Sequence, residues 1–215
     1  MKVDWMIKAV LFDMDGVLVD AKDWHYEALN KALKLFGYEI SRYDHLVTYD
    51  GLPTRVKLEM LSKEKGLPVA LHEFISEMKQ RYTLEYAYNR CKPRFDHEYA
   101  LSKLKKGGYR LAVCSNAVCE SVQIMMEKSN LSGYFEFALS NQDVKKSKPD
   151  PEIYSIAIAR LKLRPDECLV VEDNEKGVRA AKAAGAHVMA VNSTGEVNYL
   201  NIMEKIKGIE KRAEK

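Results

Sequence analysis

The sequence lacks an excess of either charge: 34 lysines and arginines face 31 aspartates and glutamates, a formal net charge of +3. With no long basic run interleaved with aromatics, that balance argues against nucleic acid as a partner. Cysteine is scarce and scattered, at Cys91, Cys114, Cys119 and Cys168, with no C-x-x-C pair. Neither a zinc site nor a disulfide framework is expected from it. No apolar run approaches the length that spans a bilayer, so no membrane role is expected. The start carries Lys2 and Asp4 and no apolar leader or small-residue cleavage site. The expectation is a cytoplasmic protein with free thiols. Internal repeats and low-complexity segments are absent, and Gly107-Gly108 does not make a dinucleotide-binding fingerprint.

What the chain does have is apolar residues, 47% against 30% charged over 215 residues, enough for one large domain or a core with an insert. It is organised around the stretch 8–20. There an apolar run, Ala9-Val10-Leu11-Phe12, stops on Asp13 and Asp15, with Gly16 next. Such a run suits a central strand of a parallel sheet, covered on both faces. Open α/β sheets bind ligands beyond the carboxyl ends of their strands, where both aspartates would stand. Two carboxylates this close repel, and a hard divalent cation such as Mg²⁺ answers that repulsion. A strand ending in a plain Asp/Gly turn would look the same from this stretch alone.

From 20 to 93 the periodicity is helical, with no strand expected. One helix over 24–36 carries His25, Leu29, Ala32 or Leu33, and Phe36 on a stripe, with Gly37 as its stop. A second starts at Pro53-Thr54, runs through Val56, Leu58, Met60 and Leu61, and ends before Gly66. A third, over 69–88, carries Leu71, Phe74, Ile75, Met78, Tyr82 and Tyr86, and Cys91-Lys92-Pro93 breaks it. From 96 onward strands and helices alternate, as in a parallel sheet with crossover helices. Strands are expected at 109–114, 135–139, 168–171 and 187–191. Helices are expected around 99–106, 118–128, 151–161, 176–184 and 196–209, with a charged tail fraying from Arg212. The expected organisation is an α/β core of residues 1–19 and 94–215 with a helical subdomain inserted over 20–93.

Polar residues follow each buried run. Asp13 ends the first strand, Ser115-Asn116 the second, the loop 140–149 with Lys148 the third, and Glu172-Asp173-Asn174 the fourth. Each has a plain structural explanation: a helix cap, a solvated lysine, an acidic first turn. In a parallel sheet, however, all would share one edge. These residue types support phosphoryl transfer to a carboxylate, an aspartate being a known nucleophile for phosphate. A lysine and a metal would neutralise the charge between nucleophile and ester. Ser115 and backbone N–H groups at a helix start suit phosphoryl oxygens. Asp15 is the candidate acid/base, since a crowd of carboxylates raises at least one pKa.

The run Asp13-Met14-Asp15-Gly16-Val17-Leu18-Val19-Asp20 resembles the first motif of the haloacid dehalogenase superfamily. Ser115, Lys148 within Lys148-Pro149-Asp150-Pro151, and Glu172-Asp173-Asn174-Glu175-Lys176-Gly177 resemble its other motifs, in order, over nearly the whole chain. The insert after the first motif resembles the subfamily with an α-helical cap, which includes phosphoglycolate phosphatase-like and β-phosphoglucomutase-like proteins. The resemblance implies a Rossmann-like core and a Mg²⁺-dependent phosphatase of a small phosphorylated metabolite. Asp13 would attack phosphorus and form an aspartyl-phosphate. Asp15 would protonate the leaving oxygen, then activate water, and offer its backbone carbonyl to Mg²⁺. Ser115 and Lys148 would bind the phosphoryl group, with Asn116 beside them. Asp13 and Asp173 would ligate the metal directly, and Glu172 directly or through water.

Two further residues stay open. His25 stands where β-phosphoglucomutase-like members carry a histidine assisting the acid/base aspartate, or it is packed on its helix stripe. Arg55 is either an anion contact for the far end of the substrate or a surface arginine. Ala21 and Asp50 depart from the mutase pattern of Thr and Lys, which favours a phosphatase over a sugar-phosphate mutase. A phospho-acceptor regulatory protein without turnover is the alternative of another class. The large insert and the separate Ser115 count against it. The insert is expected to close over the core, and a monomer or weak homodimer is expected. Cys114 is expected to be buried and inert.

Overall fold

The computed structural model describes residues 7–49 and 52–213; Lys2, Asp4, Asp50, Gly51, Glu214 and Lys215 lie outside them. The chain divides into two compact units, one of Met1–Asp20 with Cys91–Lys215 and one of Ala21–Arg90. The first strand, β1 (Ala9–Phe12), is buried along its whole length. Full burial of Leu11 and Phe12, each 0% exposed, is worth about 1.5–3 kcal/mol apiece.

The second unit holds α1 (Lys22–Lys34), α2 (Arg42–Asp44), α3 (Thr54–Lys65) and α4 (His72–Arg90). Leu29, Ala32 and Leu33 of α1, Leu58 and Leu61 of α3 and Ile75 of α4 meet in one core with Ile40, Tyr49 and Leu67. Asn30 is buried on α1 because its amide clamps both backbone groups of Ile40, each at 2.8 Å. Gly66, at φ 69°, ends α3 in the left-handed conformation that glycine adopts without penalty. Three details differ from expectation. A π-helical turn, His45–Tyr49, follows α2, in a stretch with no clear apolar period. The helix expected from 69 opens as a 3₁₀ turn over Val69–Leu71, after Pro68, before α4 begins. Phe74 is 46% exposed, resting its edge on Phe36 instead of entering the core. Among the described residues this unit has no strand.

The first unit continues with α5 (Phe95–Lys106), β2 (Arg110–Cys114), α6 (Cys119–Lys128), β3 (Phe137–Leu139), α7 (Glu152–Arg160), β4 (Cys168–Glu172), α8 (Glu175–Ala183), β5 (His187–Ala190) and α9 (Tyr199–Ala213). The strands form one parallel sheet in the order β3-β2-β1-β4-β5, the α/β architecture expected, with β1 in the middle. Helix α5 starts earlier than expected, at Phe95, its first turn carrying Asp96 and Glu98 against the helix dipole. Helix α9 starts at Tyr199 and runs past Arg212, which is therefore helical and not part of a frayed tail.

Strand side chains alternate between faces. Ala9 and Leu11, Ala112 and Cys114, and Cys168 and Val170 pack on one face against Ile153, Tyr154, Ala157 and Ile158 of α7. The register pairs Phe12 with both Val113 and Val171. One residue further on, Asp13 is therefore level with Cys114 and Glu172, and all three turn to the face that α7 covers.

Candidate active site

The ladder runs one step beyond the strands. Asp13 N–H donates to the Val171 carbonyl at 3.0 Å and Ser115 N–H to that of Leu139 at 2.9 Å. Both residues are thus fixed by backbone before any side-chain contact is made. After Asp13 the chain turns at Gly16, φ 85°, whose N–H donates to the Val19 carbonyl at 2.7 Å. Half-buried Asp15 sits inside that turn, paired in a short bridge with Val19.

Lys148 reaches the same place from the loop after β3. Its Nζ donates to Asp13 Oδ1 at 2.6 Å, to Glu172 Oε1 at 2.6 Å and to the Cys114 carbonyl at 2.8 Å. An ammonium has three N–H donors, and here all three are used. The side chains of this triad are 4%, 11% and 1% exposed for Lys148, Asp13 and Glu172, so the ion pairs are buried. The loop is tied down on both sides of the lysine. Asn116 Oδ1 accepts from Lys148 N–H at 3.2 Å, and Glu152 at the start of α7 accepts from the N–H groups of Lys145 and Lys146 at 3.1 and 2.9 Å. The structure thus places the Asn116 amide on the Lys148 backbone. Ser115 is buried, its Oγ accepting from Ala117 N–H at 3.0 Å in the turn that leads to α6.

Glu172 is held on every side. Oε1 also accepts from the Tyr154 hydroxyl at 2.6 Å, and Oε2 from the N–H groups of Asp173 and Asn174 at 3.1 and 3.3 Å. Asn174 caps α8, its side chain accepting from Lys176 N–H at 3.0 Å. Tyr154 escaped the sequence reading because an aromatic on the sheet-facing stripe of α7 reads as core. The usable signal was its hydroxyl, which needs a partner once buried.

Burial pushes the Asp13 carboxyl well above its usual range; Lys148 opposes this, while Glu172, Asp15 and Asp173 add to it. Burial also works against the charge on Lys148, but Asp13 and Glu172 outweigh it and keep the ammonium protonated. Cys114 is pushed up to about 12 by burial, an inert thiol as expected. Asp13 stands close to three further carboxylates, Glu172, Asp15 and Asp173, a crowding that favours a bound cation. Asp13, Glu172 and Asp173 each offer an oxygen within 4.8 Å of the others, a hard-oxygen set of the kind Mg²⁺ takes.

His25 and Arg55 belong to the helical unit. His25 Nδ1 is 3.3 Å from Lys79 Nζ. Arg55, its side chain 78% exposed, pairs with Glu59 one turn on at 2.6 Å. The four cysteines are free, and no helix among the described residues is long and apolar enough to cross a membrane.

A family model described as haloacid dehalogenase-like hydrolase matches residues 10–191. The chain is 32% identical over 179 residues to a phosphoglycolate phosphatase of Aquifex aeolicus, covering 83% of this chain and 82% of that one. It is 31% identical over 182 residues, with the same coverage, to a phosphorylated carbohydrates phosphatase of Thermotoga maritima. In fold it is similar to β-phosphoglucomutase from Clostridium difficile, with TM-score 0.80 and 22% identity over 94% of this chain and 98% of that one. CbbY from Rhodobacter sphaeroides, solved with phosphate, gives TM-score 0.78 and 22% identity over 86% of each chain.

Proposed function

We propose that this chain, which belongs to the haloacid dehalogenase-like hydrolase family, is a Mg²⁺-dependent phosphatase of a small phosphomonoester. The carrying observation is the buried Asp13–Lys148 pair at the carboxyl end of the central strand, with Asp173 close by. An Asp13 oxygen attacks phosphorus, the P–O bond to the alcohol breaks, and Asp15 gives its proton to the departing oxygen. Asp15 then takes a proton from water as that water attacks the aspartyl-phosphate, releasing inorganic phosphate and restoring Asp13. Lys148 compensates the charge on Asp13, and Ser115 with the backbone amides before α6 holds phosphoryl oxygens. Asp13 and Asp173, with the Asp15 carbonyl, would hold Mg²⁺, which when bound neutralises phosphoryl charge. Glu172, its oxygens engaged by four donors, suits a water-mediated contact to the ion.

The substrate class is a sugar or other metabolite phosphate, supported by the phosphatases named among the relatives. In this reading residues 1–19 with 94–215 are the catalytic core and 20–93 the cap, and His25 and Arg55 are its candidate substrate contacts. A cytoplasmic setting suits the four free thiols. The departures from a mutase rest partly on Asp50, which lies outside the described residues.

The test is phosphate release from p-nitrophenyl phosphate and a panel of phosphorylated metabolites, with and without Mg²⁺. Multiple turnovers that need Mg²⁺ and vanish in Asp13→Asn support the reading. A single phosphorylation without turnover points to a phospho-acceptor protein, and full turnover by Asp13→Asn removes the nucleophile.

A further inference from the structure

Tyr154 is 0% exposed, and its phenol points at the charged triad from the α7 face of the sheet. The hydroxyl donates to Glu172 Oε1, the same oxygen that accepts from Lys148, while the ring lies under the ammonium with Nζ 4.8 Å from its centroid. The two contacts act on one balance. Asp13 and Glu172 each hold the Lys148 ammonium at 2.6 Å, so they compete for it. A carboxylate oxygen that already accepts one hydrogen bond attracts the next donor less strongly. The phenol therefore weakens the pull of Glu172 and leaves more of the ammonium to Asp13. Glu172 cannot relieve the competition by turning, because Oε2 is held by two backbone N–H groups.

We propose that Tyr154 is a positioning residue: its hydroxyl and ring keep the Lys148 ammonium on Asp13 instead of letting it settle on Glu172. The proposal deepens the phosphatase reading and rests on it for its catalytic consequence, though the placement of Lys148 can be read without turnover.

The experiment compares wild type with Tyr154→Phe, which keeps the ring and deletes one oxygen. The first readout is the ¹⁵N resonance of the Lys148 ammonium, assigned by its loss in Lys148→Arg. It should move by more than a linewidth in Tyr154→Phe. The second is steady-state hydrolysis with Mg²⁺: kcat should fall about tenfold with KM within about twofold, because the group affected compensates the nucleophile. A merely structural tyrosine would lower Tm and leave both the resonance and kcat in place, and that result overturns the proposal. Should Tyr154→Phe fail to fold, a fluorinated tyrosine at position 154 keeps the shape and donates more strongly. It should shift the same resonance in the opposite direction, and no shift overturns the proposal. A wild type inactive on every monoester would remove the phosphatase reading, while the resonance would still decide the placement of Lys148.

Discussion

Gly177, on the first turns of α8, leaves the space that the Glu172 carboxylate fills: a Cβ added there would stand 1.8 Å from Oε1 and 2.0 Å from the carboxyl carbon. The strand residue and the helix residue therefore fit only as a pair, and the fit sets where Lys148 can anchor.

Gly177→Ala should push Glu172 out of its seat, because the clashing atoms belong to a side chain fixed by four hydrogen bonds. A helix interior otherwise prefers alanine to glycine by about 1 kcal/mol, so propensity alone predicts a more stable protein. The expected outcome is the opposite: stability lower by roughly 1–3 kcal/mol, the range for disrupted buried hydrogen bonds, together with loss of phosphatase activity. Urea unfolding and phosphate release measure the two.

Lys148→Met removes the ammonium that Asp13 and Glu172 share in a buried cluster. Breaking a buried pair by deleting one partner costs about 3–5 kcal/mol when the other stays charged. The carboxyl of Asp13, already raised by burial, should rise further without Lys148 opposing it. A carboxyl with a raised folded pKa binds more protons folded than unfolded, so stability falls as pH rises through that range. The variant should therefore lose less stability against wild type at pH 5 than at pH 7, as read by urea unfolding at both.

Much of this site was legible because its residues announce themselves locally. Asp13, Ser115 and Glu172-Asp173 each end an apolar run, and a parallel sheet places such ends side by side. The parallel sheet follows from the same alternation of apolar runs and helical periods, while its strand order, with β1 in the middle, depends on pairings between distant segments. What escaped reading depends on contacts between distant residues. Tyr154 looks like core until Glu172 is found above it, and nothing local to Asn116 announces that its amide meets the Lys148 backbone. In the helical unit, Asn30 sits at a buried position because it serves Ile40, ten residues away. Phe74 has the spacing of a core residue, yet it stands outside that core, 46% exposed.

His97 provides a pH dependence separate from the active site. It is 1% exposed on α5, with Nε2 2.9 Å from the Thr194 carbonyl. Burial lowers its pKa below 6.5; the Thr194 carbonyl opposes this, Arg94 adds to it and Asp96 opposes it. The unfolded chain then binds the proton more readily than the folded one, so stability is complete above about pH 6.5 and is lost as pH falls toward the folded value. His97→Gln should be less stable at neutral pH but flatter across that window, as followed by urea midpoints from pH 7.5 to 5.

The metal assignment can be tested without turnover, since an ion that binds only the folded chain raises its melting temperature. Mg²⁺ at about a hundredfold its dissociation constant would add about 2.7 kcal/mol of stability by mass action. Asp173→Asn keeps the shape of the side chain and removes one charge from the acidic set of Asp13, Glu172 and Asp173. Without metal, that loss relieves repulsion on Asp13, so the variant should melt at or above the wild-type temperature. With Mg²⁺ the order should reverse, wild type gaining several degrees and the variant little. A Mg²⁺-dependent gain of the same size in both proteins would place the ion elsewhere. A gain in neither would count against a metal held by Asp13 and Asp173.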